Sequence, residues 1–325
     1  MLDIVKFLIY KFPIINGYRN NLNNLVTDIK TLELETLKNL KSSKSKNTLR
    51  AYKADFKDFS LFCIKNGFKK MPTEPKILSL YLTYLSKSSK FSTLKRRIAS
   101  ISVIHRLSGH YIDTKHPLIT ENLMGIKRHI GSYQKAKKPI LINELKLIIN
   151  VIDQEKKEIN KHKNKALILI GFAGGFRRSE LVSIEYEDIE FVAEGVKIFV
   201  KRSKTDQTGE GMIKAIPYFL NSEYCPVKSL KKWLEKSENK SGKIFNISDK
   251  SVALIIKKYA LLAGLDSTKY AGHSLRSGFA TSTAELGAEE RSIMAMTGHK
   301  TTQMVRRYIK EANLFKNNAL NKINI

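Results

Sequence analysis

Apolar residues recur at helical intervals along the first part of the chain. Within residues 46–59, Leu49, Tyr52, Phe56 and Phe59 lie three or four positions apart, which predicts one apolar face on an α-helix. Similar patterns predict helices at 76–85, 93–107 and 120–130. The first half of the chain is therefore predicted to be helical.

A small, polar and basic stretch at 131–139 divides the chain. Its sequence, Gly-Ser-Tyr-Gln-Lys-Ala-Lys-Lys-Pro, is typical of an interdomain linker. It predicts one domain over 41–130 and a second over 140–325. Residues 1–40 contain leucines whose spacing only partly fits a helical face, and we interpret them as a helical extension of unknown role.

The second domain combines helices with one predicted β-hairpin. Residues 195–202 and 212–219 alternate apolar and polar positions on either side of a turn-rich segment, which is the pattern of paired strands. Helices are predicted at 143–153, 162–174, 226–237, 249–263 and 273–318, with glycine breaks at 287 and 298. The predicted fold is mainly α with one small β-sheet.

The charge of the chain indicates a polyanionic partner. Its 325 residues include 58 Lys and Arg against 30 Asp and Glu, a net charge of +28. Such an excess attracts nucleic acid, although a basic protein on a membrane surface is an alternative. The longest apolar run, 166–176, has about half of the roughly 20 residues that a membrane-spanning helix needs.

The remaining composition indicates a cytoplasmic protein. The first residues of the sequence contain charged side chains and lack a small-residue cleavage site, so they do not fit a signal peptide. Two cysteines, Cys63 and Cys225, are too few for a disulfide framework or a four-ligand zinc site. We expect a cytoplasmic location beside the nucleoid, with no membrane association and no cofactor.

Several residues of the second domain are suited to binding and transferring a phosphoryl group. Arg177 and Arg178 follow two glycines at the start of a new helix, where guanidinium groups and free backbone N–H groups can hold a phosphate. His273 and Arg276 are three residues apart and can share one helical face. The other candidates are Lys204 in the hairpin turn, His299 and Tyr308. Neither a metal-ligand cluster nor a Gly-x-Ser-x-Gly serine motif is apparent, which favours metal-free phosphoryl transfer.

These residues resemble the catalytic pattern of the tyrosine recombinases, the phage integrase family. That pattern is an arginine, a lysine on a hairpin, His-x-x-Arg, a histidine and a tyrosine. In this chain it is filled, in order, by Arg177, Lys204, His273, Arg276, His299 and Tyr308. The nine residues from His299 to Tyr308 match the usual family spacing. The first domain resembles the SAM-like core-binding domain of the family in Thr48-x-x-x-Tyr52-x-x-Asp55 and in the segment 92–101.

The resemblance implies an enzyme that cuts and rejoins one DNA strand at a time through a 3′-phosphotyrosyl intermediate, without metal or ATP. Tyr308 would be the nucleophile and His273 would accept its proton. Arg177 and Arg276 would clamp the phosphate, Lys204 would protonate the 5′ oxygen, and His299 would hydrogen-bond the phosphate and orient the site. Glu180 would support the turn that carries Arg177. Arg178 is adjacent to Arg177, and the family pattern favours Arg177 because it precedes Glu180 by three residues.

The resemblance also implies how the DNA is held. The two domains would form a C-shaped clamp around a specific duplex site, and protomers would assemble into a synaptic tetramer. Basic residues expected to contact phosphates are Lys95, Arg96, Arg97, Lys127, Arg128 and Arg178. The apolar tail after Tyr308 would pack on its own domain or, as in the family, in a neighbouring protomer. Accessory DNA-bending proteins are not identified by the sequence.

Two alternatives use nearly the same residues. An enzyme similar to the type IB topoisomerases would relax DNA as a monomer. A silent member of the fold would bind DNA without cutting it, although all six catalytic positions are filled in this chain.

Overall fold

A computed structural model describes residues 29–133, 136–203, 206, 209–238, 240–312 and 319–323. The chain divides into two compact units, 1–134 and 135–325. This division falls inside the predicted linker. The predicted fold class is confirmed, because both units are mainly helical and the sheet of the second unit is small.

The first unit consists of helices in its described part. Their bounds are α1 Ile29–Ser42, α2 Lys46–Lys65, α3 Pro75–Ser86, α4 Phe91–Leu107 and α5 Pro117–Ile130. The Ser45 side chain accepts a hydrogen bond from the Thr48 N–H and so caps α2. Proline occupies the first position of α3 and of α5, where its missing N–H costs no helical bond. Helix α1 includes part of the predicted N-terminal extension, whereas residues 1–28 lie outside the described ranges.

The apolar faces of α2 to α5 enclose one core. Phe59 of α2 and Tyr81 of α3 are fully buried, with ring centroids 5.1 Å apart in an edge-on arrangement. The other buried members are Cys63, Leu78, Leu82, Leu85, Phe91, Leu94, Ile101, Ile112, Ile119 and Ile126. Burial of this set follows from the helical spacing of apolar residues seen in the sequence.

A buried carboxylate joins α2 to α4. Asp55 is 1% exposed, and its oxygens pair with Arg96 and, at 3.2 Å, with Arg97 Nε. Ser100 donates its hydroxyl to the same carboxylate at 2.7 Å. Arg97 also pairs with Asp58 at 3.2 Å. The Tyr52-x-x-Asp55 segment therefore supplies an anchor for the basic helix α4.

The second unit packs helices around a three-stranded antiparallel sheet. Its elements are α6 Ile142–Asp153, α7 Glu158–Ala173, α8 Arg178–Leu181, β1 Ile189–Phe191, β2 Gly195–Val200, β3 Met212–Pro217, α9 Pro226–Ser237, α10 Asp249–Leu262, α11 Ser274–Glu285, α12 Glu290–Thr297 and α13 Thr302–Ala312. The strand order is β1-β2-β3. The hairpin β2–β3 was predicted, whereas the three residues of β1 are too few to give an alternation signal.

The interior of the second unit lies around α7. Residues 166–170 are all at most 1% exposed, so α7 is apolar around its circumference. Helix α11 contacts the backbone at Ile140, where a Cβ on Gly278 would lie 1.9 Å from the Ile140 carbonyl oxygen. Close packing at this point therefore requires glycine.

The end of the predicted linker is attached to the second unit. Lys138 donates its backbone N–H to the Lys269 carbonyl at 2.8 Å, and Ile140 donates to the Ser274 carbonyl at 2.9 Å. Residues 138–140 are thus fixed by two segments that lie more than a hundred positions later. Residues 313–318 and 324–325 of the predicted C-terminal tail lie outside the described residues, and Leu320 and Ile323 are exposed.

No helix in the described ranges has the length and apolar character required to cross a bilayer.

The Asp55 anchor predicts a large difference between two substitutions. Asp55→Ala leaves Arg97, whose side chain is 17% exposed, without its buried partner. Breaking a buried ion pair in this way should lower the free energy of unfolding by about 3 kcal/mol. Arg96→Ala removes a side chain that is 45% exposed and should cost less than about 1 kcal/mol. Urea unfolding of the full chain, followed by circular dichroism, measures both losses, and equal losses would contradict the assignment.

Candidate active site

The turn between α7 and α8 carries Arg177. Gly175 has φ +54°, and a Cβ there would lie 3.0 Å from Phe279 Cδ1 and 3.2 Å from Thr297 Cγ2. Glu180, 2% exposed, accepts the Arg177 backbone N–H at 2.9 Å and an Arg177 guanidinium N–H at 2.5 Å. The buried carboxylate therefore fixes both the backbone and the side chain of Arg177.

Arg178 extends to a different part of the unit. Its guanidinium lies 3.8 Å from the Asp249 carboxylate, in the first turn of α10. Its Cδ occupies the space beside Gly272, where a Cβ would lie only 1.7 Å away. Arg177, in contrast, donates to the carbonyl of Gly298 at 3.4 Å, beside His299. The structure thus places Arg177 beside the segment that carries His299, whereas Arg178 lies beside Gly272 and Asp249.

Helix α11 begins with the His-x-x-Arg motif. His273 is the N-cap residue and its side chain is exposed. Arg276, one turn later, is 4% exposed and donates to the Gly175 carbonyl at 2.8 Å. Burial, together with the charge of Arg177, lowers the pKa of Arg276 to about 10, so the guanidinium stays charged at neutral pH.

His299 follows the end of α12 and is held on both ring nitrogens. Nδ1 lies 2.8 Å from the Thr297 hydroxyl, and Nε2 lies 3.0 Å from an Arg276 nitrogen. Arg276 can only donate, so Nε2 is the acceptor and Nδ1 carries the proton. The Thr297 hydroxyl accepts this proton's hydrogen bond and donates its own to the Ile293 carbonyl at 2.6 Å. Burial, followed by the charges of Arg276, Arg177 and Lys214, lowers the pKa of His299 to about 4.

Tyr308 lies next to His299. The two ring centroids are 6.1 Å apart, and the planes are inclined at 31°. Tyr308 is half-buried on α13, which is anchored by the fully buried Val305 against Ala280 and Ile293. Packing of α13 on α11 and α12 therefore brings the tyrosine to the arginine and histidine side chains.

A lysine that the sequence analysis missed lies beneath this group. Lys214 of β3 is 0% exposed and donates to the carbonyls of Gly174, at 2.6 Å, and of Met296. Its ammonium is 4.6 Å from the centroid of the Phe176 ring. Burial lowers the pKa of Lys214 to about 7, and the charges of Arg276 and Arg177 act in the same direction. The available signal was strand alternation, which puts Lys214 on the inward face with Ile216.

The other predicted residues have different surroundings. Lys204 lies outside the described residues. The first-domain residues predicted to contact DNA, Lys95, Arg96, Lys127 and Arg128, are exposed. Arg97 is largely buried, with its guanidinium paired to Asp55 and Asp58. In the described part of the chain, no three His, Cys, Asp or Glu side chains are grouped as metal ligands would be.

The assembled group is suited to a phosphodiester. Arg177 and Arg276 supply cationic N–H donors, His299 supplies an imidazole, and the Tyr308 hydroxyl is a potential nucleophile. The acidic side chain in this group, Glu180, is already bound to Arg177. The arrangement can therefore bind an anion and stabilise further negative charge on it.

Comparison with known proteins agrees with this chemistry. Residues 140–314 match the model of the phage integrase family. An integrase/recombinase XerD homologue of Selenomonas ruminantium is 43% identical over 83% of this chain and 83% of its own length.

Solved structures share the fold at lower sequence identity. A XerH site-specific recombinase bound to its palindromic difH substrate, in a post-cleavage complex, aligns with a TM-score of 0.66 at 17% identity, covering 98% of this chain and 96% of that one. A lambda integrase tetramer bound to a Holliday junction aligns with a TM-score of 0.54 at 18% identity, covering 86% and 75%. The family match over more than half of the chain and the 43% identical relative establish that this protein belongs to the phage integrase family, the tyrosine-type site-specific DNA recombinases.

Proposed function

We propose that this recombinase cuts and rejoins DNA strands through a covalent bond between Tyr308 and a 3′ phosphate. The observation that carries this proposal is the position of Tyr308 beside His299, which itself contacts Arg276. A nucleophile next to a group of phosphate-binding side chains is the arrangement that such a transfer requires.

The bond changes balance without an external reagent. The Tyr308 oxygen forms a bond to phosphorus, and the bond from phosphorus to the 5′ oxygen breaks. The phenol passes its proton to His273. Lys204 protonates the departing 5′ oxygen. Resealing reverses these steps, so the phosphodiester energy is retained and no ATP is consumed.

The arginines stabilise the transition state. Arg177 and Arg276 contact the non-bridging oxygens, on which charge increases during attack. This cationic stabilisation replaces the role that a metal ion has in other phosphoryl transfers. Glu180 holds Arg177 in position and does not contact the DNA.

His299 adds a further contact to the phosphate. Before DNA binds, its Nε2 accepts from Arg276. An entering phosphate attracts the guanidinium and offsets the positive charges that keep the imidazole neutral. Nε2 then becomes protonated, either by taking up a further proton or because the Nδ1 proton moves to it. The Thr297 hydroxyl can remain the hydrogen-bond partner of Nδ1 in both cases, because a hydroxyl both donates and accepts.

Holding the DNA involves both units. We infer that the exposed Lys95, Arg96, Lys127 and Arg128 contact phosphates of the bound duplex, in the cytoplasm beside the nucleoid. Assembly into a synaptic tetramer is supported by the likeness to lambda integrase, which is described as a tetramer on a Holliday junction. Docking of the tail after Tyr308 into a neighbouring protomer would couple cleavage to this assembly.

The nucleophile is tested with a nicked suicide substrate that traps the covalent intermediate. In EDTA and without ATP, the native chain should form an adduct that resists denaturant. Tyr308→Phe removes the phenolic oxygen and should abolish the adduct while DNA binding persists in a mobility-shift assay. An adduct formed by this variant would move the nucleophile elsewhere.

Arg177 and Arg178 form a matched pair of adjacent arginines. Arg177→Ala should slow cleavage by about 10²–10³, the usual loss for one transition-state donor. Arg178→Ala should change the cleavage rate at saturating protein by less than tenfold, because its side chain is directed to Asp249. Single-turnover adduct formation measures both rates, and a greater loss in Arg178→Ala would reverse the assignment.

Thr297 is predicted to orient His299. Thr297→Val keeps the shape of the side chain but leaves Nδ1 without its hydroxyl partner, and cleavage should slow by about tenfold, the value of one hydrogen bond of roughly 1.4 kcal/mol. Thr297→Ser retains the hydroxyl and should restore most of the rate. Equal rates for the Val and Ser variants would show that the hydroxyl is not required.

A further inference from the structure

Lys214 is a fully buried lysine that the proposed chemistry does not use. Within the described residues, its ammonium has no carboxylate within ion-pair distance. Its hydrogen-bond partners are two backbone carbonyls, of Gly174 and of Met296. Taking an ammonium out of water is costly, and an apolar side chain of similar length would avoid this cost. Stability of the fold therefore does not explain why a lysine occupies this interior position.

The two carbonyls belong to the two segments that carry the phosphate-binding side chains. Gly174 begins the turn that ends at Arg177, and Met296 lies three residues before His299. These segments are more than a hundred residues apart in the sequence. A single ammonium on β3 thus sets the distance between the support of Arg177 and the support of His299.

Neighbouring contacts hold the ammonium in place. The ring of Phe176, between Gly174 and Arg177, lies 4.6 Å away and offers its face to the cation. On the neighbouring strand, Ile198 is the register partner of Lys214 and is fully buried. Lys214 therefore has a defined position, fixed by the sheet on one side and by the Arg177 turn on the other.

We infer that Lys214 is a positioning residue of the recombinase, which holds the Arg177 turn and the His299 segment at the separation needed to clamp the scissile phosphate. This inference rests on the proposed function. Lys214 acts through Arg177 and His299, because its ammonium is enclosed and its donors are directed to carbonyl oxygens. It is thereby distinguished from Lys204, the proposed general acid.

The decisive variant is Lys214→Met, which keeps the length of the side chain and removes its donors and charge. A misplacement of about 1 Å can cost 10²-fold in rate, and we expect a loss of about that size in single-turnover cleavage of the nicked substrate. DNA affinity and the melting temperature should be maintained or increased. The control is Lys197→Met on β2, an exposed lysine on the neighbouring strand, which should cleave at the native rate.

A substrate with a 5′-bridging sulfur separates positioning from proton donation. Thiols have a pKa of about 8.5, so a thiolate departs without a general acid. The sulfur substrate should restore cleavage to Lys204→Ala, whereas Lys214→Met should stay about 10²-fold below the native chain on the same substrate. Restoration of Lys214→Met would overturn the positioning role and make Lys214 the acid.

Lys214→Gln provides a second variant that keeps two N–H donors without the charge. It should cleave faster than Lys214→Met if its amide reaches the two carbonyls. Native-rate cleavage by Lys214→Met would overturn the inference, as would loss of the folded state in both variants, since Lys214 would then hold the domain together and not the site. Failure of the native chain to form any adduct would instead contradict the proposed function.

Discussion

The active site depends on hydrogen bonds from buried cations to backbone carbonyls. Arg276 donates to Gly175, Lys214 donates to Gly174 and Met296, and Arg177 donates to Gly298. These bonds join the turn after α7 to the segment that ends α12. The two arginines that we propose to bind the phosphate therefore also hold neighbouring segments of the site together.

The positive charges of the site repel one another, and this repulsion affects the protonation of His299. Arg177, Arg276 and Lys214 repel one another, and Glu180 supplies the nearby negative charge. Burial and the three cations keep His299 neutral, with its pKa lowered to about 4. A bound phosphate would offset this repulsion, so the arrangement favours anion binding.

Prediction from sequence succeeded where local patterns are sufficient. Helical periodicity gave α2 to α7 to within a few residues, and strand alternation gave the hairpin β2–β3. It failed where packing between distant segments decides. The basic run that contains Arg97 did not show that the carboxylate of Asp55, on another helix, keeps this side chain largely buried. The strand β1 was missed because its pairing with β2, and not its own pattern, defines it.

The sequence by itself determined which chemical groups are present and in what order. It identified Arg177, Arg276, His299 and Tyr308 as candidates because their types and spacing match the family pattern. Only the tertiary structure decided which of them meet, and that the Lys214 ammonium reaches the carbonyls of Gly174 and Met296. The physical reason is that residue spacing fixes a side chain's direction on its own helix or strand, whereas contacts between segments a hundred residues apart depend on how those elements pack.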